Sequence, residues 1–262
     1  MSTTSLIGRS GVAPVFREPN LRSEVVTQLV LGETARVLAA EGEWRRARLE
    51  GDRYEGWVHR GYALETDHEI ARGWRDSATG WSEGAVVRTE GGDIVRLPVR
   101  ARVGLAAPRI DLPDGRVGTV IAGSVLPYER CRARAGAVSP DLWAWRTFVG
   151  TPYLWGGVTP WGVDCSGLVQ TTFLARGIRL PRDAAQQAHE GIPVEPGAER
   201  QGDLLFFSER GDRITHVALA GPAGTLVHST VALGGVVLES WAPGARAAVL
   251  RPQLVAVRRV NG

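Results

Sequence analysis

GVDCSGLVQTTFLARG, residues 162–177, holds Cys165, one of two cysteines among 262 residues. Counting from it, Leu168, Val169 and Thr172 follow at i+3, i+4 and i+7, the spacing of one helix face. Gly177 suits the left-handed position that closes a helix. A helix beginning at Cys165 puts Asp164 at its entrance and Ser166 and Gly167 in its first turn. A cysteine that merely fills a core needs no polar neighbours. At a helix N-terminus the unpaired N–H groups favour negative charge, so this thiol is expected to ionise more readily than a free one.

A nucleophilic cysteine needs a base, normally a histidine held by a third polar group. Five histidines are available: His59, His68, His189, His216 and His228. The last two lie in consecutive strand-like runs, THVALAG and TLVHST, and differ by an even number of residues (228 − 216 = 12). An odd-numbered loop between the strands puts position 216 opposite 228, both rings on one face; an even loop puts them on opposite faces. Cys165, His216 and His228 also fit a three-ligand zinc site, although metal cysteines usually come in closely spaced pairs. The other thiol, Cys131 in YERCRAR, has no catalytic-looking neighbours.

Around this segment the texture changes near Ser139. Before it come short β-type runs broken by Gly, Pro and Asp: Val25–Leu31, Ala35–Ala39, Trp44–Leu49 and Gly56–His59. Such spacing predicts a small all-β barrel. The stretch ending GTVIAGSVL weakly repeats the one ending GWVHRGYAL, as if a barrel had been duplicated. The expected boundaries are a first barrel over 1–66, a linker over 67–80 and a second barrel over 81–132, then an α+β domain over 139–262. In that domain SPDLWAWRTFVGT and LPRDAAQQAHEG read as helices, and GDLLFFSE, THVALAG, TLVHST and AVLRPQL as strands.

Composition is that of a globular protein with a sizeable core, 44% hydrophobic and 23% charged. The net charge of +3 is nearly balanced and the basic side chains are scattered, so no nucleic-acid partner is expected. No apolar run approaches the ~18 residues that cross a bilayer, and no apolar leader opens the chain. The expectation is a cytoplasmic protein without a membrane partner.

The ordered set GTPYLWGG, DCSGLVQ, GDLLFF, HVAL and LVHS resembles the NlpC-type papain-like cell-wall cysteine peptidases. The N-terminal half resembles the bacterial SH3 domains that accompany them. The combination is similar to the γ-D-glutamyl-L-diamino-acid endopeptidases of the dipeptidyl-peptidase VI type. The resemblance implies an α+β papain-like catalytic domain preceded by two small all-β SH3-like barrels. It implies Cys165 as nucleophile, His216 as base and His228 as its partner, with no metal or cofactor. Tyr153 and Trp155 would stand beside the nucleophile, Tyr153 helping to hold the oxyanion. Asp164 and Ser166 would line the substrate subsites. The substrate would be a free murein peptide beginning with L-alanine, its ammonium met by Asp164, Tyr54 and Glu24, the last two from a first barrel that restricts access. Arg182 and Asp183 match a motif on the substrate side, where a carboxylate of the peptide is bound; a helix cap explains Asp183 equally well. Other readings are a papain-like amidase or acyltransferase acting on another amide or lipid, and a non-catalytic wall-binding protein.

Overall fold

The computed structural model describes residues 4–211 and 213–261. The chain divides into two compact units, Met1–Cys131 and Arg132–Gly262.

The first unit opens with seven strands: β1 Thr4–Gly8, β2 Val12–Phe16, β3 Val25–Val30, β4 Thr34–Glu41, β5 Trp44–Leu49, β6 Glu55–His59 and β7 Ala63–Asp67. They form one antiparallel sheet in the order β3-β2-β6-β5-β4-β1-β7. Its core is Leu6, Val15, Leu29, Val37, Leu49 and Val58, side chains that alternate inward along strands too short to bury both faces. The four β-runs expected in this region are strands here, with ends differing by a residue or two.

Residues 67–80, expected as a linker, contain a helix, α1 His68–Ser77, whose Ala71 is buried. The second set of strands, β8 Gly80–Thr89, β9 Ile94–Ala106, β10 Arg109–Asp111 and β11 Val117–Pro127, closes into a barrel in the order β10-β11-β8-β9. Within this unit the two strand sets are bonded together. The Arg102 N–H donates to Leu31 O at 2.9 Å, the Trp74 indole donates to Gly32 O at 2.9 Å, and Arg100 pairs with Glu33 at 2.6 Å. Gly32 has φ +78°, and a Cβ there would lie 1.9 Å from the Arg102 carbonyl oxygen, so only glycine fits the junction.

The chain passes through α2 Tyr128–Gly136 into the second unit, where α3 is Pro140–Phe148. A two-stranded hairpin, β12 Val158–Thr159 and β13 Gly162–Val163, leads straight into α4 Cys165–Ala175. Gly177, at φ +86°, follows the end of α4 as expected. After α5 Ala184–Gln187 come β14 Ile192–Pro193, β15 Leu204–Phe207, β16 His216–Ala220, β17 Thr225–Thr230, β18 Gly235–Ser240 and β19 Leu254–Arg259. These six make an antiparallel sheet, β14-β19-β15-β16-β17-β18. Its core joins Leu168, Val169 and Phe173 of α4 and Phe148 of α3 to Leu204, Phe206, Val217, Leu219 and Val227. The architecture is an α+β papain-like domain, with an all-β SH3-like region before it in the chain.

One expected strand is not one. AVLRPQL runs through a 3₁₀ segment, Arg246–Gln253, before β19 begins. Ala247 and Leu250, three residues apart, both face the apolar cluster around Phe207 and Trp241, while Val249 is exposed. That is 3₁₀ spacing, not alternation, and Pro252 has no N–H to give a ladder.

Candidate active site

Cys165 is the first residue of α4, and its entry is fixed by Asp164. The Asp164 carboxylate accepts the Gly167 N–H at 2.7 Å through Oδ1 and the Gly156 N–H at 2.8 Å through Oδ2. Gly167 fits because a Cβ there would lie 2.0 Å from Gly157 O, so the loop and the first turn of α4 are in backbone contact. Arg182 completes the arrangement. Its guanidinium donates to Asp164 Oδ1 at 3.0 Å and Oδ2 at 2.5 Å, and to Ser166 Oγ at 2.8 Å. Arg182 is 2% and Asp164 6% exposed. Both carboxylate oxygens are thus engaged and the charge is met inside the fold, so Asp164 stands here as helix cap and ion-pair partner. Arg182 is equally committed, and the group it presents beside the nucleophile is the Ser166 hydroxyl it holds.

The base side comes from three adjacent strands. β16 and β17 pair through Leu219↔Val227 and Ala220↔Leu226. An odd number of residues, 221–225, separates the last paired positions Ala220 and Leu226, so His216 and His228 do share a sheet face. They are not directly opposite, however: the same register continued sets His228 against Ala218, and His216 is its diagonal neighbour. His216 Nε2 lies 2.7 Å from His228 Nδ1. On β18, Val237 is opposite His228, which makes Glu239 the diagonal neighbour on the other side. Glu239 Oε2 lies 3.0 Å from His228 Nε2. Arg246 then grips Glu239 with two hydrogen bonds, Nε to Oε1 at 2.7 Å and the second to Oε2. Because two histidine ring nitrogens are spent on each other, the pair is not arranged to share a metal ion. Among the described residues no group of three His, Cys, Asp or Glu side chains is placed to hold one.

The backbone N–H groups of Ser166, in the first turn of α4, and of Val217, the residue after His216, act on the Cys165 sulfur. Both donors and Arg182 favour thiolate. Burial and the neighbouring Asp164 charge outweigh them, and the thiol is pushed up to about 12. The expected easily ionised thiol is therefore corrected: the helix end acts as anticipated but loses to desolvation. His216 is pushed down to about 3, first by burial and then by His228. His228 is also lowered by burial, against the pull of Glu239. At neutral pH the resting pair is thiol and neutral imidazole.

These shifts predict a stability window. His216 titrates lower folded than unfolded, so its contribution is present above about pH 6.5 and lost as pH falls toward 3. Cys165 titrates higher folded than unfolded, so its contribution is present below about pH 9 and lost as pH rises toward 12. Urea midpoints measured across pH should show a shallower alkaline fall in Cys165→Ala and a shallower acid fall in His216→Ala. Curves parallel to wild type at both ends would refute the shifts.

Tyr153 is half-buried, bridged to Val163 just before the nucleophile. Burial, and then the Cys165 and Asp164 charges, raise its phenol well above the usual range, so it stays a hydroxyl donor. Trp155 is 59% exposed on the same loop. Asp183 occupies the N-cap position of α5 but its side chain makes no capping bond. Tyr54 and Glu24 belong to the first unit. Tyr54 is half-buried, its N–H donating to Asp52 at 3.0 Å, and Glu24 is paired with Arg17 at 2.7 Å. The residues that sequence reasoning passed over are Glu239 and Arg246. The signal was there: GGVVLES sets a Gly turn before β-branched residues, with one acid two residues beyond Val237.

Residues 150–250 match the NlpC/P60 family, and residues 15–61 match the bacterial dipeptidyl-peptidase Sh3 domain. A γ-D-glutamyl-L-lysine dipeptidyl-peptidase of Bacillus subtilis is 30% identical over 222 residues, 78% of this chain and 72% of the relative. A dipeptidyl-peptidase 6 of Lysinibacillus sphaericus is 27% identical over 248 residues, 86% of each chain. An NlpC/P60 family protein from Bacillus cereus superposes with a TM-score of 0.79 at 20% identity, covering 97% of this chain and 99% of that one. With the helix-borne Cys165, the paired histidines and the SH3-like region, these likenesses place the chain in the NlpC/P60 family of cysteine peptidases.

Proposed function

We propose that this protein hydrolyses the bond between γ-D-glutamate and the diamino acid, meso-diaminopimelate or lysine, of free murein peptides that begin with L-alanine. Such a reaction serves recycling of wall peptides inside the cell. The observation that carries the reading is the run Cys165, His216, His228 in a chain whose relatives over most of its length are γ-D-glutamyl dipeptidyl-peptidases.

In this mechanism His216 Nδ1, the ring nitrogen not spent on His228, takes the Cys165 proton as sulfur attacks the γ-glutamyl carbonyl. The Tyr153 hydroxyl and the Cys165 N–H receive the oxyanion. The tetrahedral species collapses, the C–N bond breaks, and His216 returns the proton to the departing amine. Water then adds to the thioester, giving its proton to His216, and the C–S bond breaks. L-Alanyl-γ-D-glutamate leaves and the thiol regains its proton. Starting from a neutral pair suits this cycle, since His216 can take the thiol proton as sulfur attacks. Ser166, held between Arg182 and Asp164, lines the substrate subsite beside the nucleophile. Asp164 keeps Ser166 and Arg182 in place.

Acetylating the peptide's amine should lower kcat/KM by about 10²-fold or more, because the proposed substrate begins with a free L-alanyl ammonium. Equal rates on free and acetylated peptide would remove the free-amine requirement. Cleavage of neither would remove the bond assignment itself.

A further inference from the structure

We propose that Glu239 is a positioning residue: it fixes the tautomers of His228 and His216 and thereby leaves His216 Nδ1 unprotonated as the base. The inference rests on the catalytic role given to Cys165 and His216 above, and it concerns residues on strands beyond that pair.

The protons along the line from Glu239 to His216 can be placed one by one. A carboxylate only accepts, so at 3.0 Å the His228 Nε2 facing Glu239 must carry the hydrogen. A neutral imidazole has one N–H, which leaves His228 Nδ1 bare. His216 Nε2 faces that bare nitrogen at 2.7 Å and must be the donor. His216 Nδ1 is then the free lone pair. Setting one end of the line sets every proton in it.

Without the carboxylate the line reads equally well backwards. His228 Nδ1–H would donate to His216 Nε2, and His216 would carry its proton on Nδ1, where it cannot accept one from a thiol. Glu239 breaks that symmetry, and its negative charge also favours the imidazolium that forms on His216 during attack.

The site is built for an ionised Glu239. Its side chain is 13% exposed, and the charged or titratable groups touching it are His228 from β17 and Arg246 from the 3₁₀ segment. The two-bond grip of Arg246, first among the causes, holds the carboxyl below its ordinary range. His228 is 1% exposed, so no solvent competes for its Nε2. The 3₁₀ turn after β18 thus has a role in the chemistry: it delivers the guanidinium that keeps the end of the line charged.

The test uses the full-length protein labelled with ¹⁵N-histidine, together with steady-state kinetics. In wild type both rings should be Nε2–H tautomers. In Glu239→Gln, whose amide can donate as well as accept, the Nδ1–H tautomers should become populated. There kcat should fall by about 10- to 100-fold with KM within about twofold. Arg246→Gln, changed at a half-exposed side chain, keeps the carboxylate but lets it titrate higher. Its acidic limb of kcat should therefore move to higher pH while the tautomers at neutral pH stay as in wild type. A wild-type His228 protonated on Nδ1 overturns the proposal outright. So do wild-type tautomers and kcat in Glu239→Gln, or an unmoved acidic limb in Arg246→Gln. The tautomer measurement needs no substrate. If the murein peptide is not cleaved, the proposed function fails while the tautomer result still decides the role of Glu239.

Discussion

Replacing Cys165 with alanine should lower kcat on L-alanyl-γ-D-glutamyl-diaminopimelate by about 10⁴-fold or more, while the peptide still binds. The loss is large because sulfur is the atom that forms the acyl bond; no neighbour supplies a second nucleophile at that place. Ser166 is the nearest hydroxyl in sequence, but its Oγ is held between Arg182 and Asp164. Binding should survive, because Cys165 is 9% exposed and the Asp164–Arg182–Ser166 arrangement does not include its sulfur. Calorimetric titration of the variant with the tripeptide separates the two quantities. Turnover within tenfold of wild type would end the nucleophile assignment.

The second large effect is on stability. Arg182→Leu should destabilise the second unit by about 3–5 kcal/mol, the usual cost of leaving one charge of a buried pair alone. Both groups lie almost wholly inside, so water cannot replace the guanidinium around Asp164. The cost is specific to the unpaired charge. Asp164→Asn combined with Arg182→Leu should therefore lose less than the sum of the single changes, with a coupling visible in urea unfolding. A single-variant loss below about 1 kcal/mol would mean that Asp164 finds other partners, and that the pair does not hold the helix entrance.

How much of this could be read from the chain depends on the range of the interaction. Local signals carried far: the Asp164 cap, the helix from Cys165, its close at Gly177, and the strands bearing His216 and His228 all follow from patterns within a dozen residues. The even spacing of the histidines permitted a shared face without forcing it, and both the shared face and the diagonal offset were decided by the actual register. Longer-range facts were not legible. The Arg182–Asp164 pair closes across the whole of α4 and the loop after it, and either residue alone reads as a surface charge or a cap. Glu239 acquires meaning only once β18 is registered against β17, since its partner is set by pairing and not by neighbours in sequence. The thiol illustrates a competition that sequence cannot weigh. The helix end that favours thiolate is local, whereas the burial that opposes it is a property of the assembled domain. The AVLRPQL segment reads as a strand by composition, and Pro252 was the residue that argued otherwise.

The proposed function requires this site to break one defined amide through Cys165. Mass spectrometry of the products from L-alanyl-γ-D-glutamyl-diaminopimelate in ¹⁸O-water tests it most directly. Wild-type protein should release free diaminopimelate and L-alanyl-γ-D-glutamate carrying one ¹⁸O in the γ-carboxyl group, and Cys165→Ala should release neither. Cleavage at the L-alanyl bond instead, or the same labelled dipeptide formed by the variant, would contradict the account.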